Sequence, residues 1–252
     1  MRNGFLHLVL LFLTPISLIG QTNEKLLVEY KLQFYSGMLD KTGVLISDGS
    51  TALFNEGLHL DGDHVSITDD GNIVAINKMD DTFNFIDFHE NQVISKRELG
   101  SKSYIVHEEL SSVEWKLIPE DSKMINDFKA YKAVGSFRGR DYVAWYTPEV
   151  PSRVGPWKFH GLPGLILEIN DSQNKFRWVA QKITYPYHSE TAIQMPDTKE
   201  LTQVDLKDYV ALVTEHQLKE EKRRIARAPK GTRVVSSTTQ RGVELVYEWE
   251  EE

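Results

Sequence analysis

Short runs that alternate apolar and polar residues, divided by turn-forming residues, recur along this 252-residue chain and restrict it to a sheet. Val28, Tyr30, Leu32 and Phe34 alternate with Leu27, Glu29, Lys31 and Gln33. An extended strand there has one apolar face. The same period predicts strands near Gly43 to Phe54, His64 to Thr68, Asn72 to Ile76, Phe83 to Phe88, Gln92 to Glu98 and Tyr104 to Glu108. It predicts others near Val113 to Ile118, Tyr131 to Phe137, Asp141 to Tyr146, Leu165 to Ile169 and Lys175 to Ile183. Asp69-Asp70-Gly71 separates two of them, and Asp-Gly accommodates the positive φ that tight hairpins require. Near the end, Val243, Leu245, Tyr247 and Trp249 alternate with Glu244, Val246, Glu248 and Glu250, which predicts a last strand with one apolar and one mostly acidic face.

One stretch has the helical period instead. From Val204 to Ala226, residues Leu206, Tyr209, Val210, Val213 and Gln217 share a face. Thr202 with Asp205 resembles a capping box, and basic residues gather at the far end, where they complement the helix dipole. Pro229 and Gly231 stop the helix. No boundary signal divides residues 21–252, so one domain is expected. It is predominantly β (α+β): a large twisted antiparallel sheet of about eight to ten strands, open or curled into a half-barrel, with one long helix packed on it in the C-terminal half.

Residues 1–20 read as a secretory signal peptide. Arg2 supplies the positive start, Phe5 to Ile19 is mostly apolar, and Gly20 is a small residue at a plausible cleavage site. No later run approaches the length of a membrane span, so no transmembrane segment is expected in the mature chain. A net charge of −8 argues against nucleic acid as the main partner. The absence of cysteine excludes disulfides, thiolate metal sites and a thiol nucleophile.

Residues 135–170 are the most unusual part of the chain. Four of the nine prolines fall between Pro148 and Pro163, among Trp145, Tyr146 and Trp157. The stretch closes in Gly161-Leu162-Pro163-Gly164-Leu165-Ile166. Proline fixes φ and glycine frees it, so a specific backbone path is required here. With that hexapeptide, the chain resembles the GLPGLI family of exported bacterial proteins. The likeness extends to Gly139, Arg140, Tyr142, Ala144 to Thr147, Glu149 and Pro151, to Gly155 to Phe159, and to the closing Glu244 to Glu250. The resemblance implies an exported protein, in the periplasm or at the outer-membrane periphery of a Gram-negative bacterium that uses TonB-dependent outer-membrane receptors. It implies no mechanism.

Gly155, Pro156 and the hexapeptide from Gly161 to Ile166 are read as a structural turn that delivers a core strand. Arg138, Arg140, Tyr142, Trp145, Trp157 and His160 are the candidate ligand-binding residues. Two guanidiniums on one strand face suit an anion clamp, unless Gly139 breaks the period, with the aromatic rings as an apolar floor; the alternative is a solvated arginine pair balancing Glu149 or Asp141 beside core aromatics. No catalytic residue, metal site or cofactor is expected. The acidic and histidine residues from His59 to Asp70 lack the spacing of a calcium loop, and no nucleophile motif surrounds any serine. Three readings follow. The first is an envelope binding or accessory protein that holds an unknown small amphipathic or anionic ligand on a concave face lined by Phe83, Phe85, Trp115, Trp145 and Trp178. The second is a periplasmic hydrolase using His160, Arg140 and Glu149 or Glu168. The third is a structural subunit docking on a membrane transporter through an exposed aromatic patch.

Overall fold

The computed structural model describes residues 24–34, 39–57, 65–67, 73–76, 82–189, 191–227 and 242–250. The signal peptide, the Asp69–Gly71 turn and the cluster from His59 to Asp70 apart from residues 65–67 lie outside these. The strands are β1 (Lys25–Phe34), β2 (Leu39–Ser47), β3 (Thr51–Glu56), β4 (Val65–Ile67), β5 (Ile73–Ile76), β6 (Phe83–Asp87) and β7 (Gln92–Leu99). They continue as β8 (Lys102–Glu109), β9 (Lys116–Ile125), β10 (Phe128–Phe137), β11 (Arg140–Thr147), β12 (Leu165–Asp171), β13 (Phe176–Tyr187) and β14 (Thr202–Asp205). One helix, α1 (Leu206–Arg227), follows β14.

Twelve strands form one sheet in the order β14-β8-β7-β6-β3-β2-β1-β13-β12-β11-β10-β9, and β4 and β5 pair separately. Two meanders are thus joined at one seam, where β1 pairs antiparallel with β13 from Lys25↔Tyr187 to Phe34↔Phe176. Every pairing in the large sheet is antiparallel except β14 with β8. The predicted strand from Gly43 to Phe54 is two strands, β2 and β3. Asp48-Gly49 turns the chain between them, with Asp48 Oδ1 accepting from the Ser50 and Thr51 amides at 3.0 and 2.8 Å.

The sheet curls. Eight strands separate β8 from β10 in the order, so a flat sheet would hold them roughly 40 Å apart at the usual strand spacing. Yet Arg138, just after β10, is 2.6 Å from Glu108 of β8. The hollow is filled by side chains of the sheet's inner face and by the proline-rich loop. Val150, Val154, Trp157, Phe159 and Leu162 from that loop pack with Tyr30, Phe54, Tyr142, Ala144 and Trp178. Trp157 stacks on Trp178 at 6.3 Å, and Phe159 meets Tyr142 edge-on at 4.8 Å. Trp178 is 1% exposed, as its alternation with Arg177 predicts. Trp178→Ala is expected to cost about 3–5 kcal/mol, measured by urea denaturation; a loss under about 1 kcal/mol would contradict its place in this core.

Helix α1 begins two residues later than its apolar pattern suggests, because Val204 and Asp205 extend β14. Its predicted face is the one that packs. Leu206 and Tyr209 are buried, and Val210 and Val213 pack with them against Val106, Tyr104 and Tyr247. No helix among the described residues is long and apolar enough to cross a membrane.

The predicted last strand does not form. Residues 242–250 lie across the β10–β11 turn and end in a short 3-10 turn, Glu248–Glu250. The amides of Leu245 and Val246 both bond the carbonyl of Arg138, at 2.9 and 3.2 Å, so no ladder can propagate. Glu244, assigned to the solvent face by alternation, is 6% exposed.

Candidate functional site

The path into the site begins with two residues. Arg138 and Gly139 have φ of 44° and 79°, the double positive φ of a two-residue hairpin turn. Phe137 and Arg140 pair across it. Arg138 and Arg140 therefore flank a reversal of the chain and do not share the face of one extended strand. Each finds its own carboxylates. Arg138 bonds Glu108 at 2.6 Å, Glu248 at 3.0 Å and Glu244. Arg140 bonds Asp171 at 3.1 Å and the carbonyls of Val243 and Gly242 at 2.9 and 2.8 Å, with its guanidinium 4.7 Å from the centre of the Phe176 ring.

Around Arg138 lies a buried network. Arg97 of β7 reaches Glu108 at 3.3 Å and Glu244 at 3.1 Å. Lys158, carried in by the proline-rich loop, bonds Glu108 and, at 3.1 Å, Glu244. Three cations thus enclose two carboxylates contributed by distant segments. Burial pushes the Glu244 carboxyl up, but Lys158, Arg97 and Arg138 outweigh it and hold it well below the usual carboxylate range. Burial draws the Lys158 ammonium down, only partly offset by Glu108 and Glu244. Burial and the nearby Glu244 raise the Tyr247 hydroxyl to about 12.

Beside this network a cleft of about 330 Å³ opens between α1 and the sheet. Tyr209, Val210 and Val213 of α1 and Val243 and Tyr247 of the C-terminal segment give it apolar and aromatic walls, with Trp157 reaching it from the loop. Its polar lining includes Glu56, Asn84 and Arg97. Arg97 is occupied by its two carboxylates, and its guanidinium lies 5.7 Å from the Tyr209 ring centre. Lys96 borders the cleft too, but it pairs with Phe83 and Ile105, so alternation assigns its side chain to the opposite face of the sheet from Arg97. Asn84 accepts from Ser95 through Oδ1 at 2.8 Å; its Nδ2 and the Trp157 indole N–H have no protein partner among the described residues but are not sealed from solvent, since the fully buried side-chain polar atom without a partner there is Trp178 Nε1. Asn84 is 6% and Trp157 7% exposed. The Glu56 carboxyl has no hydrogen-bond or ion-pair partner among the described residues. Burial raises it, against the opposing charges of Lys41 and Arg97.

Of the six residues singled out in the sequence, only Trp157 lines this cleft. Tyr142 is buried against Phe159. Trp145 lies on the other face of β11, beneath Lys123 at 4.3 Å. His160 packs on Phe88 at 5.7 Å, with Nδ1 3.0 Å from the Lys158 carbonyl; burial lowers its pKa. The groups suggested for hydrolysis are bonded elsewhere: Glu149 accepts from the Lys129 amide, and Glu168 from Lys123 and Arg177. Of the expected concave-face residues, Trp178 lies in the core, while Phe85 packs with Leu53 and Ile94 on the opposite face. No group of three or more potential metal ligands occurs among the described residues.

Arg140 is held like a structural ion-pair partner, since Asp171 is 1% exposed. Arg140→Ala is therefore expected to lower stability by about 3 kcal/mol. An unchanged urea midpoint would return it to the candidate binding groups.

A family described as a protein of unknown function, Porph_ging, matches residues 138–168. That stretch holds the hairpin turn, the proline-rich loop and the start of β12. No curated protein matches the chain. Two crystal structures of PNGF-II, in space groups C2 and P21, are similar in fold, with TM-scores of 0.49 and 0.50 at 16% and 14% identity. They cover 76% and 77% of this chain, which spans only 33% and 34% of theirs. An uncharacterized conserved protein from Thermus thermophilus gives a TM-score of 0.41 at 12% identity, covering 73% of this chain and 91% of its own.

Proposed function

We propose that this protein is a non-enzymatic binding or accessory protein of the cell envelope, and that a small amphipathic ligand occupies the cleft between α1 and the sheet. The observation that carries this reading is the pairing of an apolar, aromatic wall with polar groups left without partners: Trp157, Asn84 and Glu56. These groups meet solvent in the cleft, so a ligand that displaces the water has to offer them hydrogen bonds as well as an apolar face. The anion-clamp reading of Arg138 and Arg140 is less attractive, because both guanidiniums are already neutralised.

Export to the periplasm or the outer-membrane periphery is supported by the signal-peptide pattern of residues 1–20. Cooperation with a TonB-dependent receptor rests on the family resemblance alone. The groups named for the hydrolase reading do not assemble among the described residues, where Glu149 accepts from the Lys129 amide and Glu168 from Lys123 and Arg177. The transporter-docking reading calls for an exposed aromatic patch, whereas the exposed large apolar residues among those described are Leu117, Met124, Met195, Leu218 and Ile225.

The test is to purify the mature protein from its native envelope and to identify co-purifying small molecules by mass spectrometry, beside a Val213→Trp variant that fills the cleft. A ligand carried by the native protein and missing from the variant supports the proposal. A ligand carried equally by both would place binding elsewhere.

A further inference from the structure

Within the cleft, what is unsatisfied is hydrogen-bonding capacity more than charge. Arg97 is enclosed by Glu108 and Glu244, and Lys96, which borders the cleft, is set by strand alternation on the opposite face from Arg97, while the unpaired Glu56 carboxyl lines the cleft, so the lining does not favour an anionic ligand. A plain hydrocarbon would leave the Trp157 N–H, the Asn84 amide hydrogens and the Glu56 carboxyl without partners, which is costly once water is excluded. The unmet groups comprise donors from two residues and an acceptor from a third. They line the same space as the aromatic residues Trp157, Tyr209 and Tyr247. A polyhydroxylated ring answers both needs. Each hydroxyl donates and accepts, and the C–H face of the ring packs on an aromatic surface.

Resting on the cleft reading above, we infer that the ligand is a neutral polyhydroxylated ring, a saccharide of one or two residues, held by the Trp157 N–H, the Asn84 amide and the Glu56 carboxyl against the Tyr209 wall. Glu56 accepts a hydrogen bond from a ligand hydroxyl, which keeps its proton, so no covalent bond is made or broken. The cleft volume of about 330 Å³ sits at the lower end of the range for small-molecule sites, which limits how much of a longer chain it encloses.

The experiment titrates the purified full-length protein with a panel of neutral monosaccharides and disaccharides (glucose, galactose, mannose, N-acetylglucosamine and their homodimers). It is followed by isothermal calorimetry and tryptophan fluorescence, with dodecanoic acid as the non-saccharide probe. At least one sugar is expected to bind saturably, and Val213→Trp to abolish that binding. Trp157→Phe keeps a ring and removes the N–H; it should weaken binding roughly five- to tenfold, as should Glu56→Leu, which removes the acceptor at a less buried position. Because Trp157→Phe touches the core, each variant is compared at a temperature where circular dichroism reports the native fold, and Glu56→Leu alone is sufficient to test the contact. Sugar binding that neither substitution weakens overturns the assignment of these groups. If dodecanoic acid binds in a manner blocked by Val213→Trp and no sugar binds, the ligand class is wrong while the cleft remains a binding site. If neither probe binds, both the ligand class and the cleft reading fall.

Discussion

Glu244→Ala is expected to destabilise the protein by about 3–5 kcal/mol at neutral pH, because it leaves buried cations without their carboxylate. Arg97, Arg138 and Lys158 all bond Glu244. Without it, Glu108 is the remaining buried carboxylate of the cluster, and Arg138 keeps besides it only the exposed Glu248 and the Ser111 hydroxyl. The same residue sets an acid limit. Its folded-state pKa is depressed below the ordinary 4.5, so its stabilisation is fully present above that value and drains away as pH falls toward the folded one. Glu244→Gln should remove this part of the acid sensitivity. Urea midpoints measured across roughly pH 6 to 3 decide the matter. Parallel losses in the wild type and Glu244→Gln would mean that this carboxylate does not govern acid stability.

Gly164→Ala is expected to have an effect at least as large. Gly164 has φ of +150°, and a Cβ there would lie 2.0 Å from the Thr147 carbonyl oxygen. That contact is with backbone, at the junction where the loop enters β12, so no side chain can rotate away. We expect a loss above about 4 kcal/mol, or no folded protein at all, from the combination of strained backbone and overlap. Recovery of soluble, cooperatively melting Gly164→Ala with a near-native midpoint would show that the loop has another path.

Much of the fold is legible in the sequence because its signals are local. The alternation around Trp178 places that side chain correctly, and the spacing of Leu206, Tyr209, Val210 and Val213 picks out the packed face of α1. The errors arise where one local signal hides another. Leu45, Ile46 and Ala52 to Phe54 read as one apolar run, which conceals the Asp48-Gly49 turn between β2 and β3. Residues 243–249 alternate like a strand, yet Arg138 offers them one carbonyl and no strand edge. The hexapeptide reads as a turn into a strand; β12 begins at Leu165, directly after Gly164, where a Cβ would meet the Thr147 backbone.

The site is much less legible. Arg97 and Glu244 are 147 residues apart, and nothing near either one announces the other. Lys158 stands inside a motif whose prolines and aromatics draw the eye first, and lysines are mostly exposed, so its burial against Glu108 and Glu244 has no local signal. Glu56 and Asn84 carry no sequence signal. They matter because the sheet curls and brings them beside a helix that starts more than a hundred residues later.

The seam between β1 and β13 also has a consequence for how the chain reaches this state. A ribosome releases β1 early, but its partner ends only at Tyr187. Until then the backbone groups along one edge of β1 are claimed by no later strand, and its apolar face, with Leu26, Val28, Tyr30 and Leu32, is not yet covered. Closure across so long a loop is entropically slow, and it leaves an apolar strand edge open to other chains meanwhile. Aggregation during synthesis or refolding is therefore expected to depend on how quickly this one pairing forms, and a partner that shields β1 would raise the yield without touching the finished fold.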